Sequence, residues 1–342
     1  MAFRAILGAD LHGSDRNTRD LKTSLHLYED AYRLAVEHNV DKVYWLGDLL
    51  HYKYGMSAKL LLAWAQINKK PEYQHIQCRL LRGNHETPWK SEPELTPLAL
   101  MEDVDCISMP MTEVYGNILI CHLPWYPDVR YKEAARQLAT LAYGWDKGPK
   151  FLFTHTSLAE GVASATNERI EGAIRLKHLF PEAWSQIYLG DYHTAQQVGP
   201  NGFYLGAPIS RSHADSGCLG LWLLESDGRS WGLHPLELPS EYPEYHQVQL
   251  GYGSDLQIPG YKKLNNYLVT APFELHTELR RMYPDNVRLK PLEGEAAPPH
   301  PDEATEPAES IDELVKRWLV KRGLSLALYG PIAARYLPER LE

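Results

Sequence analysis

Five short polar motifs restrict the possible folds of this chain more than any other feature of its sequence. Each motif directly follows a short apolar run that is typical of a buried β-strand. Because the carboxyl ends of the strands in an open α/β sheet converge on one crevice, side chains placed there are expected to form one site. The motifs are Asp10-Leu11-His12, Gly47-Asp48, Gly83-Asn84-His85-Glu86, Thr154-His155 and Gly190-Asp191-Tyr192-His193.

The segments between the motifs alternate between strand-like and helix-like patterns. Predicted strands cover residues 5–8, 42–46, 76–81, 117–121, 151–154 and 187–189. Apolar residues recur at helical spacing from Leu21 to Ala35, and a second helix is predicted over 57–67 with Ser57 as its N-cap. Strands separated by helices indicate an α/β domain with a buried, largely parallel core sheet. Between 198 and 238, short β-runs predict hairpins that close a sheet edge.

The rest of the chain divides into regions of different composition. The predicted regions are an α/β domain at 1–240, a small cap-like unit at 241–292, an acidic linker rich in Pro, Ala and Glu at 293–310, and a helical segment at 311–342. The small unit is expected to have strands at 267–270 and 286–289 and a helix at 273–283. The last segment begins with an amphipathic helix that carries Asp312 and Glu313 in its first turn.

Composition and charge exclude several classes of protein. At 342 residues the chain is long enough for one large domain or two ordinary ones. The net charge of −9 argues against a surface that is basic throughout. The stretch 291–310 holds six acidic residues and no Lys or Arg, however, so the remainder is nearly balanced and a local basic groove is allowed. No apolar run approaches the ~18 residues of a membrane span, and the N-terminal residues lack the pattern of a signal peptide.

The cysteines indicate a reducing compartment. Cys78, Cys106, Cys121 and Cys218 are scattered along the chain and show no paired metal spacing. Three of the four lie in apolar stretches, which favours buried, reduced thiols in a cytoplasmic protein.

The residue types in the five motifs indicate a metal site. Carboxylate, imidazole and amide side chains are ligands that suit Mn, Fe or Zn. A glycine precedes each of Asp48, Asn84 and Asp191, and it is expected to let the backbone turn sharply so that the next side chain points into the site. Any one of these motifs occurs by chance in many proteins. All five in this order, each at a strand end, indicate a shared metal centre.

The order of the motifs resembles that of the calcineurin-like metallophosphoesterase superfamily, which has Asp-x-His, Gly-Asp, Gly-Asn-His-Asp/Glu, His and Gly-His-x-His in succession. The resemblance implies an α/β fold of the four-layer metallophosphoesterase sandwich type, here with a small α+β cap and a C-terminal helical tail. It also implies two divalent metal ions. One would be held by Asp10, His12, Asp48 and His193, and the other by Asp48, Asn84, His155 and Asp191, with Asp48 bridging.

The same resemblance implies that His85 is catalytic and is not a ligand. It would face the scissile phosphate as a general acid or as a stabiliser of the transition state. Two cations clamp the attacking and leaving oxygens of an in-line displacement, so no nucleophilic Ser or Cys is required. Asp191 departs from the pattern, because the family usually has a histidine there. The aspartate either favours the harder ions Mn and Mg or weakens the second site, and His213 is either a substitute ligand or an ordinary surface-loop histidine.

Outside the metal motifs the chain resembles the SbcD-type DNA nucleases, the bacterial and phage partners of SbcC ATPases. Gly47-Asp48-Leu49-Leu50-His51 is similar to the second motif of that family, and Tyr204-Leu205-Gly206-Ala207-Pro208 is similar to its Tyr-Pro-Gly-Ser-Pro. The small unit lies where that family has a DNA-binding cap, and the terminal helix lies where the family docks on the ATPase. Ser/Thr protein phosphatases share Leu81-Arg82-Gly83-Asn84-His85-Glu86, but they carry Asp-Arg-Gly after the second Asp and lack the closing motif.

Some further residues are candidate contacts to DNA or substrate: His51, Arg82, His122, Trp125 and Tyr126. Trp125 and Tyr126 either stack on nucleobases of a single-stranded end or form a pocket wall or part of the core. The terminal helix either packs on its own domain or docks on a partner. No Gly-x-x-x-x-Gly-Lys-Ser/Thr loop occurs, so another polypeptide would have to supply any ATP dependence.

These features predict a cytoplasmic, Mn-dependent, two-metal DNA nuclease that hydrolyses phosphodiester bonds at DNA ends, as an exonuclease and also as a single-strand endonuclease, in DNA repair and recombination. Mg, Fe or Zn are the other candidate ions. The expected partners are DNA, an SbcC-like coiled-coil ATPase bound through the C-terminal helix, and a second copy of the chain in a homodimer. The alternatives are a phosphomonoesterase or a small-molecule or nucleotide phosphodiesterase of the same superfamily, and a non-catalytic scaffold subunit, which the aspartate at 191 would favour.

Overall fold

The computed structural model describes residues 2–51, 58–87, 96–101, 103–162, 174–210, 220–251, 254, 256–259, 261–263, 265–284 and 287–292. The strands in this part of the chain are β1 (Phe3–Gly8), β2 (Lys42–Leu46), β3 (Gln77–Leu81), β4 (Asp105–Ile107), β5 (Met111–Tyr115), β6 (Ile118–Leu123), β7 (Lys150–His155), β8 (Gln186–Gly190), β9 (Gln196–Val198), β10 (Gly202–Tyr204), β11 (Leu221–Ser226), β12 (Trp231–Leu236), β13 (Tyr245–Gln249), β14 (Asn266–Thr270) and β15 (Val287–Lys290). The α-helices are α1 (Thr18–Glu37), α2 (Ala58–Asn68), α3 (Asp128–Tyr143) and α4 (Phe273–Met282), and short 3-10 helices cover Pro71–Tyr73, Pro97–Leu100, Leu176–Leu179 and Pro181–Ala183.

Strand pairing produces two six-stranded sheets. The first has the order β12-β11-β1-β2-β3-β4, in which β1 to β4 are parallel and the hairpin β11–β12 joins antiparallel to β1. The second has the order β5-β6-β7-β8-β10-β9, in which β6, β7, β8 and β10 are parallel and the edge strands β5 and β9 are antiparallel. The predicted α/β class is confirmed, and the largely parallel sheet is divided into two, as the family resemblance implied.

The two sheets enclose a shared apolar core and carry helices on their outer faces. Successive residues of a strand point to opposite faces, so Ala5 and Leu7 of β1 pack between the sheets with Phe151 of β7, whereas Ile6 packs outward. Helices α1 and α2 cover the outer face of the first sheet, and α3 covers that of the second. The resulting order of helix, sheet, sheet and helix is a four-layer sandwich.

The helices differ in how well the sequence predicted them. The apolar repeat correctly predicted α1, which begins after the N-cap residue Asn17, whose side chain accepts a hydrogen bond from the Asp20 backbone N–H. Helix α2 also lies where it was predicted, although its expected N-cap Ser57 is outside the described residues. Helix α3 was not predicted, although its buried residues Tyr131, Ala135, Leu138, Ala139 and Ala142 have helical spacing.

A buried polar network around Glu113 of the edge strand β5 joins the two sheets. Glu113 of β5 forms an ion pair with Arg79 of β3, and His122 Nε2 of β6 lies 2.5 Å from Glu113 Oε1. The hydroxyl of Tyr44 on β2 donates to Glu113 Oε2 at 3.2 Å, and the Tyr115 hydroxyl also donates to this oxygen. The carboxylate of Glu113 therefore contacts side chains from both sheets.

Residues 245–290 contain a three-stranded sheet and one helix. Strands β13, β14 and β15 are parallel, and α4 packs on one face of their sheet around the buried residues Tyr267, Val269 and Leu279. The helix and the last two strands were predicted, and β13 was not. The predicted residue 286 at the start of the last strand lies outside the described residues.

A buried carboxylate on α1 holds the connection between the sandwich and the small unit. Asp30 is fully buried and accepts hydrogen bonds from the Ser240 backbone N–H (3.1 Å), the Ser240 hydroxyl (2.9 Å) and the Tyr242 hydroxyl (2.6 Å). The segment that leads into β13 is thereby attached to the sandwich by three hydrogen bonds to one side chain.

Several predictions concern features outside these two units. Cys78 and Cys121 are buried free thiols and Cys106 is a partly buried one, whereas Cys218 lies outside the described residues. The linker at 293–310, the terminal helix and His213 also lie outside them. Among the helices that the structure describes, none has the length and apolar character that a membrane crossing requires.

Candidate metal centre

The ends of five strands bring the side chains of the five sequence motifs together. Asp10 and His12 follow β1, Asp48 follows β2, and Asn84 and His85 follow β3, while His155 ends β7 and Asp191 and His193 follow β8. Three groups have ligand atoms that all lie within 4.8 Å of one another: Asp10, His12 and His193; His12, Asp48 and His85; and Asp10, Asp48 and His155. The prediction that these motifs share one site is thus matched by their positions.

The loops after β1 and β2 are fixed to each other by backbone hydrogen bonds. The N–H of Asp10 donates to Gly47 O at 3.0 Å, and the N–H of His12 donates to Asp48 O at 2.9 Å. Asp10, His12 and Asp48 all have left-handed backbone angles, with φ of 55°, 48° and 51°, and φ of Asp191 is 105°. Such angles cost roughly 1–3 kcal/mol each in a non-glycine residue and are concentrated at functional sites. The backbone strain therefore lies at the predicted ligands.

The glycines of the motifs act in two different ways. Gly47 has φ of 91°, as predicted for a sharp turn, and a Cβ there would come 2.2 Å from His155 Nδ1. Gly83 and Gly190 do not have a left-handed φ, so neither makes the left-handed turn of Gly47. A Cβ on Gly83 would lie 2.3 Å from Asp48 Oδ1, and one on Gly190 would lie 2.2 Å from Leu46 O. Close approach of neighbouring atoms, and not turn geometry, excludes side chains at these two positions.

Glu86 is the internal anchor of the site, a role that the sequence analysis did not assign. Its side chain is fully buried, and Oε2 accepts hydrogen bonds from the backbone N–H groups of Asp48 and Gly83, both at 2.9 Å. Oε1 accepts a third hydrogen bond from the Leu50 N–H at 2.7 Å. Burial, followed by the negative charge of Asp48, raises the pKa of Glu86 to about 8. The carboxyl group joins the loops after β2 and β3 and thereby positions Asp48.

The first predicted ligand set has imidazoles and carboxylates facing each other. His12 Nε2 lies 3.0 Å from His193 Nε2 and 3.9 Å from Asp48 Oδ2. Both oxygens of Asp10 accept from the Asp191 backbone N–H, at 3.1 and 3.0 Å. These contacts fix the carboxylate of Asp10 and direct two ring nitrogens toward the same region.

The second predicted ligand set contains buried polar atoms without a protein partner. The ring nitrogen Nδ1 of His155 is 2.7 Å from Leu46 O, and because a carbonyl oxygen only accepts, Nδ1 carries a proton and Nε2 is the nitrogen directed at the carboxylates. That Nε2 atom is 3.3 Å from Asp48 Oδ1 and 3.6 Å from Asp191 Oδ1. Within the described chain, neither His155 Nε2 nor Asn84 Oδ1 makes a hydrogen bond, although both are buried. Buried atoms of this kind are costly unless something binds them, so the residues fit a metal ion.

The charges of the buried carboxylates also fit a cation site. Burial raises the pKa of Asp10 to about 7, although His155 and His193 oppose the shift, and burial also raises the pKa of Asp191. Burial acts on Asp48 in the same direction, but His155 and His12 outweigh it and hold the pKa of that carboxyl well below its usual value. Three neighbouring buried carboxylates repel one another when ionised. Divalent cations would remove this repulsion.

His85 is oriented in the same way as His155. Its Nδ1 lies 2.6 Å from His51 O, so Nδ1 is the protonated nitrogen and Nε2 faces the site, 3.7 Å from Asp48 Oδ2. The backbone N–H of His85 donates to Asp48 Oδ1 at 2.9 Å. The side chain is about a quarter exposed (23%), unlike the fully buried His155. A histidine at the open side of the ligands can reach a substrate.

Three of the five predicted contacts to DNA lie in the interior. Arg82 is fully buried, its Nη1 donates to Thr87 Oγ1 at 2.7 Å, and its guanidinium lies over the Tyr126 ring at 4.7 Å. Tyr126 is itself buried, and His122 is completely buried beside Glu113. Their burial argues against a contact with DNA, and for Tyr126 it agrees with the alternative of a position in the core.

The other two predicted contacts remain accessible. His51 and Trp125 are partly exposed. The Trp125 backbone N–H donates to Arg82 O at 3.0 Å, which places Trp125 beside the loop that carries Asn84 and His85. Only these two residues of the set have surface to offer a substrate.

Comparison with known proteins supports the reading of the site. Residues 3–159 match the model of the family described as calcineurin-like phosphoesterase. This part of the chain is similar to calcineurin-like phosphoesterases. The match covers somewhat less than half of the chain and includes Asp10, His12, Asp48, Asn84, His85 and His155. Together with the Asp and His cluster it indicates a metal-dependent phosphoesterase, a hydrolase.

Solved structures show distant similarity, and no curated protein matches the sequence. A dimetal phosphatase from Danio rerio is 11% identical, with a TM-score of 0.44, over 68% of this chain and 98% of that one. An archaeal phosphodiesterase is 11% identical with a TM-score of 0.34, over 68% and 100% of the two chains. A 5′-nucleotidase precursor from Thermus thermophilus is 11% identical with a TM-score of 0.36, over 70% and 55%. These similarities are too distant to indicate a substrate.

Proposed function

We propose that the chain is a two-metal phosphodiesterase that cleaves DNA at its ends, of the SbcD type, and that it acts with an SbcC-like ATPase. The observation that carries the catalytic part is the convergence of Asp10, His12, Asp48, Asn84, His155, Asp191 and His193 on one region with His85 at its open side. Manganese is the proposed ion, because carboxylate and amide oxygens make up more than half of the ligand set.

The residues of the site have separate tasks in this proposal. Two bound cations would supply Lewis-acid activation of water and of the phosphate. Asp48 lies between the two ligand sets, within 3.9 Å of His12 Nε2 and 3.3 Å of His155 Nε2, and so it can serve both. His85, held by its Nδ1–H bond to His51 O, can carry a second proton on Nε2 and give it to the departing oxygen.

DNA is proposed as the substrate on the basis of the resemblance to SbcD-type nucleases and of the small unit. Arg288 and Lys290 alternate with Val287 and Leu289 in β15, so both basic side chains lie on the face opposite α4, and both are exposed. Asn266 begins β14 on that same face and accepts a hydrogen bond from Arg19 of α1 at 3.3 Å. Basic side chains on such a face suit contact with a phosphate backbone.

The further expectations are also proposals. They are docking of the C-terminal helix on a coiled-coil ATPase, a homodimer, exonuclease and single-strand endonuclease activity, a role in DNA repair, and a cytoplasmic location. The turn after β10 supports the family resemblance only through the similarity of its sequence to the Tyr-Pro-Gly-Ser-Pro motif. Its tyrosine, Tyr204, is buried, and its hydroxyl donates to Thr156 O at 2.7 Å, which is a structural role.

The test compares wild type with His85→Ala on end-labelled duplex and single-stranded DNA in the presence of Mn. We expect wild type to degrade DNA and the variant to be slower by roughly 10²–10⁴-fold, because it lacks the proton donor, while both bind the same amount of Mn. His234→Ala, which removes an exposed imidazole on β12, is the matched control and should be as active as wild type. Unchanged cleavage by His85→Ala would contradict the role of this residue.

A phosphoesterase for small substrates is the second candidate function. The burial of Arg82, His122 and Tyr126 favours it, since it removes three of the five side chains expected to contact a polymer. Wild-type protein that hydrolyses a nucleotide or an aryl phosphate with Mn, but leaves DNA and phosphopeptides intact, would establish this function and refute the nuclease.

A further inference from the structure

Asp191 is the one predicted ligand that departs from the family pattern, and its carboxylate has a dedicated partner. Ser157 Oγ donates a hydrogen bond to Asp191 Oδ2 at 2.5 Å. The other oxygen, Oδ1, accepts from Asn84 Nδ2 at 3.4 Å and lies 3.6 Å from His155 Nε2. The two oxygens therefore have different environments, and Oδ1 is the one directed at the second ligand set.

Two buried tyrosines hold the backbone on both sides of Ser157. The Tyr204 hydroxyl donates to Thr156 O at 2.7 Å and accepts from the Leu158 N–H at 2.9 Å. The Tyr192 hydroxyl donates to Leu158 O at 2.9 Å. These bonds fix the backbone on both sides of Ser157 and so place this residue beside Asp191.

The contact with Asn84 has a second consequence. Because Nδ2 of the amide donates to Asp191 Oδ1, the amide oxygen Oδ1 of Asn84 points away from Asp191, and this oxygen is buried without a hydrogen bond among the described residues. A histidine ring in place of Asp191 could not accept on one atom from Ser157 and on another from Asn84 while still presenting an atom to a metal, since a neutral imidazole has a single acceptor nitrogen. The arrangement is specific to a carboxylate.

We propose that Ser157 is a positioning residue that holds Asp191 as a ligand, so that the second metal position of this chain is built for a hard divalent cation such as Mn or Mg in preference to Zn. This inference rests on the proposed two-metal function. Carboxylate oxygens suit Mg and Mn, whereas imidazole suits Zn. Loss of a group that orients a metal ligand typically weakens metal affinity by about 10–100-fold.

The experiment measures Mn binding directly, by calorimetry and by the electron paramagnetic resonance signal of Mn, on the full chain stripped of metal. The variants are Ser157→Ala, Ser157→Thr and Asp191→His. The matched control is Ser185→Ala, which removes a serine hydroxyl that accepts from the Lys150 N–H at 3.0 Å, at the opposite end of β7. Each protein is titrated with Mn alone and then with Zn in competition.

We expect wild type and Ser185→Ala to bind two Mn ions per chain with equal affinities. Ser157→Ala should bind one of them about 10–100-fold more weakly, Ser157→Thr should restore the affinity because it keeps the hydroxyl, and Asp191→His should shift the preference of one position toward Zn. Two unaltered Mn sites in Ser157→Ala would overturn the inference and leave the proposed function intact. A wild-type chain that binds no Mn at all would overturn both, because the two-metal site itself would be absent.

Discussion

At the scale of single residues, the hydrogen bonds that each side chain makes within the fold decide which of its atoms faces the site. His85 and His155 both donate a hydrogen bond from Nδ1–H to a backbone carbonyl oxygen, at 2.6 and 2.7 Å. Nε2 of both rings therefore faces the site. Nε2 of His155 is fully buried among carboxylates, whereas the ring of His85 is partly exposed. The same local bond thus directs Nε2 of both rings toward the candidate metal centre, as the proposed roles of a ligand and a proton donor require.

Glu86→Gln should destabilise the metal-free protein. The two carboxyl oxygens accept three backbone N–H bonds, from Asp48, Leu50 and Gly83, and a glutamine side chain places an N–H₂ group against at least one of these donors. We expect the free energy of unfolding to fall by about 1–3 kcal/mol, measured by urea denaturation with a chelator present.

The control for this prediction is Glu225→Gln. Glu225 pairs with Arg4 at 2.6 Å, but its side chain is 40% exposed, and a surface pair of this kind contributes at most about 1 kcal/mol. Equal losses in the two variants would show that the three buried hydrogen bonds of Glu86 contribute no more than an exposed ion pair.

At the scale of secondary-structure elements, one carboxylate connects four strands. Glu113 of β5 contacts Arg79 of β3, Tyr44 of β2 and His122 of β6. The side chain is 8% exposed, so these groups and not water solvate the charge. The junction between the two sheets is consequently sensitive to the protonation of this one group.

Acid should weaken the junction. Burial alone would raise the pKa of Glu113, but the hydrogen bonds and charges of His122, Tyr115 and Arg79 outweigh it and lower the pKa from 4.5 to about 2. A depressed carboxyl pKa contributes stability that is present above about pH 4.5 and is lost as the pH falls toward 2. Since one pKa unit corresponds to about 1.4 kcal/mol, the contribution is at most about 3 kcal/mol.

Glu113→Gln tests this pH dependence. The difference in unfolding free energy between wild type and the variant should be largest near pH 6 and smaller at pH 3.5, measured by urea denaturation at both values. Burial lowers the pKa of His122, which also makes the fold less stable in acid, so the two groups act in the same direction. A difference that does not change with pH would mean that Glu113 is not held ionised by its neighbours.

At the scale of the whole molecule, the small unit is attached to the sandwich through Asp30. The Tyr242 hydroxyl and Ser240 both donate to this buried carboxylate, and Asp30 is on α1, which begins shortly after the candidate metal ligands of the β1 loop. The position of the small unit relative to the site therefore depends on a few hydrogen bonds.

Asp30→Ala and Tyr242→Phe should be coupled. Each removes a partner of the 2.6 Å bond between the two side chains, so a double-mutant cycle should give an interaction energy of about 0.5–3 kcal/mol. Asp30→Ala should also speed proteolytic cleavage between residues 238 and 245, because three bonds to that segment are lost. Additive effects in the cycle, with unchanged cleavage, would show that Asp30 does not hold the small unit.

Removal of metal should lower the stability of the chain as a whole. Without cations, Asp10, Asp48 and Asp191 remain buried together, whereas Mn at 100 times its dissociation constant should stabilise the fold by about 2.7 kcal/mol per site. Thermal unfolding with a chelator and with excess Mn measures this shift. Asp48→Asn should abolish most of the stabilisation by Mn. The control Asp227→Asn, in the exposed turn before β12, should keep it. A wild-type melting temperature that is the same with a chelator and with excess Mn would favour a non-catalytic scaffold.

The sequence by itself determined the α/β class, the strands that end in polar motifs, and the residues that meet at the candidate metal centre. It could do so because strand periodicity and the residue that follows each strand are local, and parallel strands bring their carboxyl ends to one edge. The tertiary structure decided that Arg82 and His122 are internal, that Gly83 is required by the approach of Asp48, and that Ser157 donates a hydrogen bond to Asp191. Each of these depends on contacts between segments that are far apart in the chain. No local pattern of apolar and polar residues specifies which of them pack together.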